Sequence, residues 1–182
     1  MKYLLTNQET ERLQFRPLEL ADFEVWKSLF LDENTKEMLG MQEFKTAEEC
    51  CEKWFEWTFH RYENDLGGQN ILIEKSSGEI IGQAGLLVRE FDGNQEIEIA
   101  YSILPNHRKK GFALEAASKC RDFAFENHFH ERLISMIIPE NIPSKKTAEK
   151  NGLKFKEQLI FHDKLFDIHE IKKENWKVIS KT

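Results

Sequence analysis

The sequence predicts an α/β fold with a mixed, mostly antiparallel sheet of about seven strands and helices on both sides. Several segments alternate apolar and polar residues, which is the period of a half-buried strand. Other segments space their apolar residues as an amphipathic helix does. One run, residues 132–138, is almost continuously apolar, as expected of a parallel strand that is covered on both faces.

The composition is that of a globular protein, and 182 residues suit a single domain spanning 1–182. The net charge of −6 argues against a general nucleic-acid binder and favours cationic or amine partners. No apolar run approaches the ~18 residues of a membrane span, and no signal pattern opens the chain, so we expect a cytoplasmic protein. Three cysteines, two of them the adjacent Cys50 and Cys51, do not form a disulfide framework.

The first part of the chain is predicted to form one strand and two helices. The strand covers residues 12–16 and is stopped by Pro17. Apolar residues at helical spacing predict helices over about 19–31 and 47–62. Residues 32–46, between those helices, lack such spacing, and we expect an irregular surface loop there.

Three strands are predicted in the middle of the chain. Residues 70–75 and 80–88 form a pair that is joined by a turn at 76–79. A second turn signal at 92–94 leads into the third strand, which Pro105 ends. The apolar residues of that strand are Ile97, Ile99, Tyr101 and Ile103, and the residues that alternate with them are Glu96, Glu98, Ala100 and Ser102.

The last part of the chain begins with a helix whose small residues can lie close against a sheet. They are Ala113, Ala116, Ala117, Cys120 and Ala124. This helix is the crossover to the parallel strand at 132–138. A short helix over 144–151 follows, with Ser144 as a plausible N-cap and Gly152 as its stop. Two closing antiparallel strands are predicted at residues 155–161 and 165–171.

A short basic turn, residues 108–113, lies between the third strand and the crossover helix. The first N–H groups of a helix have no intrahelical partner, and the helix dipole adds positive charge there. A glycine at 111 lets a ligand approach the backbone, and successive amides form a concave anion site. The predicted ligand is a phosphate or pyrophosphate. The alternative is a solvated basic turn before an ordinary helix.

The string Arg108-x-x-Gly111-x-Ala113 resembles the signature of the GNAT N-acetyltransferase superfamily, in which this turn holds the pyrophosphate of acetyl-CoA. Other stretches resemble the branch that acetylates protein N-termini and small amines, the ribosomal-protein-alanine acetyltransferase type. In chain order they are residues 10–13, 16–18 with Asp22, 98–101, 104–105, 111–116, 139–146 and 149–153. The resemblance implies the GNAT fold and an acetyl-CoA-dependent N-acetyltransferase.

The resemblance also implies a set of residues that bind the coenzyme. The residues that it places against the pyrophosphate are Arg108, Lys109, Lys110, Gly111, Phe112 and Ala113. Those that it places along the pantetheine arm are Ser102, Ile103 and Leu104. Asn141, Ser144 and Lys146, in the matching stretch at 139–146, complete the set. No metal site is predicted.

Catalysis is assigned to Glu98, Asn141 and Ser144. Glu98 matches a glutamate near the acceptor site and is the candidate base, although Glu96 and Glu98 could instead form the solvated face of a strand. Asn141 would fix the pantetheine or a water, and it could equally cap the following helix. The Ser144 hydroxyl could protonate the thiolate.

The chain departs from the family at two positions. Many relatives carry a tyrosine at the position of Ala148, where it acts as general acid toward the coenzyme sulfur, and Ala100 stands where glycine is usual. Tyr101 belongs to another strand and is interpreted as packing. Trp57, off the apolar stripe of its helix, is either a partly exposed aromatic or a wall of the amine cleft that the family has near this point.

We therefore expect direct transfer of an acetyl group from acetyl-CoA to a primary amine, either a protein N-terminus or a small amine. The alternatives are a coenzyme-binding sensor or assembly module, which the alanine at 148 favours, and transfer of a longer acyl group. No nucleic-acid or membrane partner is expected, and we expect a monomer or homodimer. The sequence does not identify the acceptor.

Overall fold

The fold, seen in a computed structural model that describes residues 2–91 and 93–179, is built on one seven-stranded sheet with strand order β1-β2-β3-β4-β5-β7-β6. The strands are β1 (Leu13–Arg16), β2 (Gly67–Glu74), β3 (Ile80–Phe91), β4 (Asn94–Ile103), β5 (Arg132–Ile137), β6 (Lys154–Phe161) and β7 (Lys164–Lys172). Every pairing is antiparallel except that of β4 with β5. The predicted mixed, mostly antiparallel α/β fold is confirmed.

Helices cover both faces of this sheet. They are α1 (Phe23–Lys27), α2 (Glu33–Met38), α3 (Ala47–Glu63), α4 (Phe112–Glu126), α5 (Ile142–Lys150) and α6 (Lys173–Ile179). The apolar side of β4, including Ile97 and Ile99, packs on the small residues of α4. The other face carries α3, whose Trp54 Nε1 donates to Gln83 of β3 at 3.0 Å. We call this second side the α3 face. No helix among the described residues is long and apolar enough to cross a membrane.

The seam between β4 and β5 is the least closed part of the sheet. In the described strands, these two pair in register at one position, Glu98 with Ile134. A side chain adds a second link, because Ser135 Oγ donates to the Ile99 carbonyl at 2.8 Å. Beyond it, β4 continues to Ile103, and residues 100–102 become partly exposed. The backbone of β4 is thus accessible where β5 leaves it.

Residues 32–46 differ from the prediction of an irregular surface loop. They contain α2, in which Thr35 and Lys36 are buried, and Met41 behind it is fully buried. The helix was missed because polar contacts to distant residues hold it: Arg108 Nη2 donates to Thr35 Oγ1 at 2.9 Å, and Lys164 Nζ to the Gly40 carbonyl at 2.6 Å. Such contacts leave no periodic apolar pattern.

Three smaller differences concern the helices. The predicted helix over 19–31 is broken into α1 and two flanking 3-10 turns. The prediction of Ser144 as the N-cap of α5 is wrong, because that helix begins at Ile142 with Asn141 as its cap. The polar segment after β7 forms α6, which was not predicted.

Candidate active site

The turn before α4 has the geometry of an anion site. Arg108 is extended, Lys109 has φ 63°, and Gly111 is the N-cap of α4 with φ 87°. Among the described residues, no side chain caps this N-terminus, and the first helical hydrogen bond runs from Glu115 N to the Gly111 carbonyl at 3.1 Å. The first-turn amides therefore remain available to a ligand.

A brace from the start of the chain supports this turn. Arg12 Nε donates to Glu115 Oε2 at 2.6 Å, Arg12 Nη1 donates to the Lys110 carbonyl at 3.1 Å, and the guanidinium lies 4.5 Å from the centroid of the Phe112 ring. Burial alone would raise the pKa of Glu115, but hydrogen bonds from Thr10 and Arg12 outweigh it and lower that pKa. The brace has no local sequence signal, because its two sides lie about 100 residues apart.

Arg108 was assigned to the pyrophosphate, but its side chain turns back toward the protein. Nε donates to the Ile103 carbonyl at 2.9 Å, and the guanidinium also reaches Thr35 and Asp32 of the α2 segment. Lys109 and Lys110 are exposed beside the first turn of α4. The geometry thus separates an anchoring arginine from two lysines that can attract an anion at long range.

This separation predicts different effects for two sets of substitutions. Arg108→Ala should lower the free energy of unfolding by about 1 kcal/mol, because it removes partly exposed hydrogen bonds of a charged group. It should change the salt dependence of coenzyme affinity little. Lys109→Ala with Lys110→Ala should weaken coenzyme binding mainly at low salt, since exposed charges are screened beyond about 10 Å at 0.1 M. Urea unfolding measures the stability of each variant, and calorimetry at two ionic strengths measures its coenzyme affinity. A salt-dependent loss of affinity in the arginine variant, with none in the lysine variant, would contradict this division.

The glutamates of β4 are buried, so the interpretation of a solvated strand face is wrong. Glu96 and Glu98 are each 5% exposed. Glu98 Oε2 accepts from Arg89 Nε at 2.6 Å, and Glu96 accepts from Arg132 Nε at 2.9 Å. Burial, followed by the charge of Arg89, lowers the pKa of the neighbouring Arg61 to about 10. Glu98 therefore occupies the α3 face as a buried ion pair rather than as a free carboxylate.

Asn141 caps α5, as one of its two interpretations required. Its Oδ1 accepts from Ser144 N at 3.1 Å, which leaves the amide nitrogen for another partner. Tyr101 OH donates to the Ser144 carbonyl at 2.9 Å and so links β4 to α5; burial raises the pKa of that phenol. Ala148 is fully buried on α5, whereas Lys146 is exposed.

Trp57 is partly exposed, which fits both of its interpretations. Its side chain is 41% exposed and makes an edge contact with Phe44, with ring centroids 6.2 Å apart. Lys53 Nζ lies 5.9 Å from the same ring. That Trp57 borders an amine cleft stays a prediction.

Glu74, Glu79 and His107 form a group of possible metal ligands at the turn between β2 and β3, where their ligand atoms lie within 4.8 Å of one another. Glu74 Oε2 already accepts from Ser77 Oγ at 2.8 Å, and Glu79 is exposed. Exposed carboxylates and a histidine commonly meet without a metal, and we assign none here.

β4 separates from its parallel neighbour β5 just before a glycine-containing turn. Together these two features indicate one class of protein, the acetyl-transferring α/β enzymes that residues 108–113 resemble. The chain belongs to the acetyltransferase (GNAT) domain family, whose model matches residues 12–154. It is 30% identical to the uncharacterized N-acetyltransferase p20 of Bacillus licheniformis over 159 residues, which is 85% of this chain and 84% of that protein.

Solved structures of similar proteins share the fold. The acetyltransferase of Agrobacterium tumefaciens superposes with a TM-score of 0.75 at 23% identity, covering 91% of this chain and 94% of that one. The spermidine N-acetyltransferase of Vibrio cholerae, in complex with CoA and spermine, superposes with a TM-score of 0.71 at 17% identity, covering 92% and 99%. At these identities the superpositions establish the fold, and the family match establishes an acetyl-CoA-dependent acyltransferase.

Proposed function

We propose that this protein transfers an acetyl group from acetyl-CoA to a primary amine by direct attack. The observation that carries the proposal is the open β4–β5 seam, which ends at the uncapped N-terminus of α4. An extended pantetheine arm can pair with the exposed edge of β4, and the pyrophosphate that follows it can bind the helix amides. The spermidine N-acetyltransferase of the same fold is described with CoA bound, which supports this use of the fold.

In the proposed complex each part of the coenzyme meets a different group. The pantetheine lies along Ser102, Ile103 and Leu104, and the Asn141 amide nitrogen donates to it. The pyrophosphate accepts hydrogen bonds from the amides of residues 111–113, whose backbone Gly111 leaves open. Lys109, Lys110 and Lys146 contribute positive charge, which strengthens the attraction of the pyrophosphate to an otherwise acidic protein.

The ammonium first loses a proton to a base. The neutral amine nitrogen then attacks the thioester carbonyl carbon, a nitrogen–carbon bond forms, and the carbon–sulfur bond breaks. The nitrogen gives up a second proton, and the departing thiolate gains one. An amide and free coenzyme A are the products.

Glu98 is the proposed base. Its Oε2 is held by Arg89, so Oε1 would accept the proton through a water on the α3 face of the seam. Ser144 is the proposed proton donor to the thiolate, at the start of α5. Because residue 148 is alanine, either this hydroxyl or a water must protonate the leaving sulfur. A thiol pKa of about 8.5 means that the thiolate needs little help to leave.

Thiol release from acetyl-CoA tests the proposal. We expect release to depend on added amine, with peptides that have free N-termini, spermidine and small amines as the panel. The second candidate function, a coenzyme-binding module without transfer, is favoured by Ala148. Tight acetyl-CoA binding by calorimetry without thiol release from any amine would select the module. An absence of coenzyme binding would remove both.

A further inference from the structure

The turn before α4 has six consecutive backbone N–H groups, those of residues 109–114, that donate to no acceptor in residues 2–91 and 93–179. Successive amides bind an anion when they point into one concave space, and this depends on how each peptide plane is turned. Lys109 has φ 63°, a left-handed conformation that a residue other than glycine keeps only where its surroundings hold it. The contacts of the turn therefore decide how well its amides can bind an anion.

Arg12 holds the peptide plane between Lys110 and Gly111. Its Nη1 donates to the Lys110 carbonyl at 3.1 Å. This peptide is trans, and in a trans peptide the N–H of the following residue points away from the preceding carbonyl. The bond to Arg12 therefore directs the Gly111 N–H away from the guanidinium. The guanidinium lies directly against the turn, because a Cβ built on Gly111 would be 3.4 Å from Nη2.

Glu115 places a negative charge near the proposed pyrophosphate site. It lies four residues beyond the N-cap of α4, about 6 Å along the helix axis, and its side chain is 18% exposed. Burial would raise the pKa of Glu115, but hydrogen bonds from Thr10 and Arg12 lower it, so the carboxylate is charged at neutral pH. Arg12 Nε and Nη2 each lie 2.6 Å from Glu115 Oε2. The arginine thus cancels a charge that would repel an anion at this helix terminus.

We propose that Arg12, which directly precedes β1, is a positioning residue for the coenzyme. It directs the Gly111 amide toward the pyrophosphate and neutralises Glu115. A planar, forked guanidinium can bind the carbonyl and the carboxylate at once, and its position 4.5 Å from the centroid of the Phe112 ring fixes it over the first residue of α4. This inference rests on the proposed binding of acetyl-CoA. It gives a role in that binding to a segment about 100 residues before the turn.

Calorimetry with acetyl-CoA on Arg12→Met and Arg16→Met tests the role of Arg12. Arg16 is the matched control, because it lies on β1, is partly exposed and pairs with one carboxylate, that of Asp22, through bonds of 2.7 and 2.6 Å. We expect Arg12→Met to lower the affinity about tenfold, the size of one charge-assisted hydrogen bond. Arg16→Met should lose stability in urea but bind acetyl-CoA as the wild type does.

Glu115→Gln tests the neutralisation separately, because it keeps the shape of the side chain and removes its charge. Combined with Arg12→Met, it should recover about 2–5-fold of the lost affinity, which is the effect of one charge at roughly 6–8 Å in a partly solvated site. The recovery should fade between 0.1 M and 1 M salt, where the screening length drops from about 10 Å to about 3 Å. A mere repair of the fold would not depend on salt in this way.

The kinetic readout separates positioning from catalysis. In Arg12→Met the KM for acetyl-CoA should rise while kcat at saturating acetyl-CoA stays near the wild-type value, since Arg12 meets neither reacting group. Wild-type affinity in Arg12→Met, or an equal loss in Arg16→Met, would overturn the positioning role and leave acetyl transfer intact. An absence of recovery in the double variant, or a recovery that persists at 1 M salt, would overturn the neutralisation of Glu115. A wild type that does not bind acetyl-CoA would overturn this inference together with the proposed function.

Discussion

Gly111→Asp is expected to lower the affinity for acetyl-CoA by roughly 10³-fold or more while the sheet stays folded. The new carboxylate would stand at the N-cap of α4, where it can accept from the first-turn amides itself and repel a pyrophosphate. Losing two charge-assisted hydrogen bonds of about 1.5–3 kcal/mol each accounts for the magnitude. Isothermal calorimetry measures the affinity.

Backbone strain needs a separate control, because Gly111 has φ 87° and any L residue is strained there. Gly78→Asp supplies it. Gly78 has φ 73°, and nothing lies within 4 Å of a Cβ built on it. Both variants should lose stability in urea, Gly111→Asp the less because its carboxylate can cap α4, whereas only the change at Gly111 should affect the coenzyme. Wild-type affinity in Gly111→Asp would remove the turn from the coenzyme site.

Glu98→Gln is expected to reduce turnover ~10²–10⁴-fold at pH 7, the usual range for a positioned general base. The amide keeps the shape of the side chain and can still accept from Arg89, but it cannot take a proton. An α-amine has a pKa of about 7.7–8.0, so its neutral fraction rises through pH 8 and the need for a base falls. The deficit of the variant should therefore shrink with rising pH, and acetyl-CoA affinity should change little.

Glu96→Gln is the matched control for that measurement. Glu96 is as buried as Glu98, lies two residues before it on the same face and accepts from Arg132. Both variants disturb a buried ion pair, so both should destabilise the fold comparably. A pH-dependent loss of turnover confined to Glu98→Gln identifies a base. Similar turnover in the two variants would make Glu98 a structural partner of Arg89 and move the proton to water or another carboxylate.

Local patterns predicted the part of the site that lies within one stretch of chain. The alternation along β4, the proline after it and the glycine at 111 describe a strand, a turn and a helix start without reference to anything distant. The structure matches them, with β4 ending at Ile103 and α4 beginning at Phe112. The burial of Glu98 could not be read in this way, because it depends on Arg89 of the neighbouring strand.

Features that depend on pairing between distant segments were not predicted. The helix α2 has a polar buried side, held by Arg108 and Lys164, which lie about 70 and 125 residues further along the chain.

A coenzyme bound at the seam between β4 and β5 would also stabilise the fold. Among the described residues, one backbone pair, a few side-chain bonds and the core shared with α4 join β1–β4 to the other three strands, so an arm bound along β4 would act as an additional strand between the two halves. Ligand that binds only the folded chain stabilises it by about 1.4 kcal/mol for each tenfold excess over Kd. The metabolic supply of acetyl-CoA would then set how firmly the two halves are held, as well as how fast the enzyme runs.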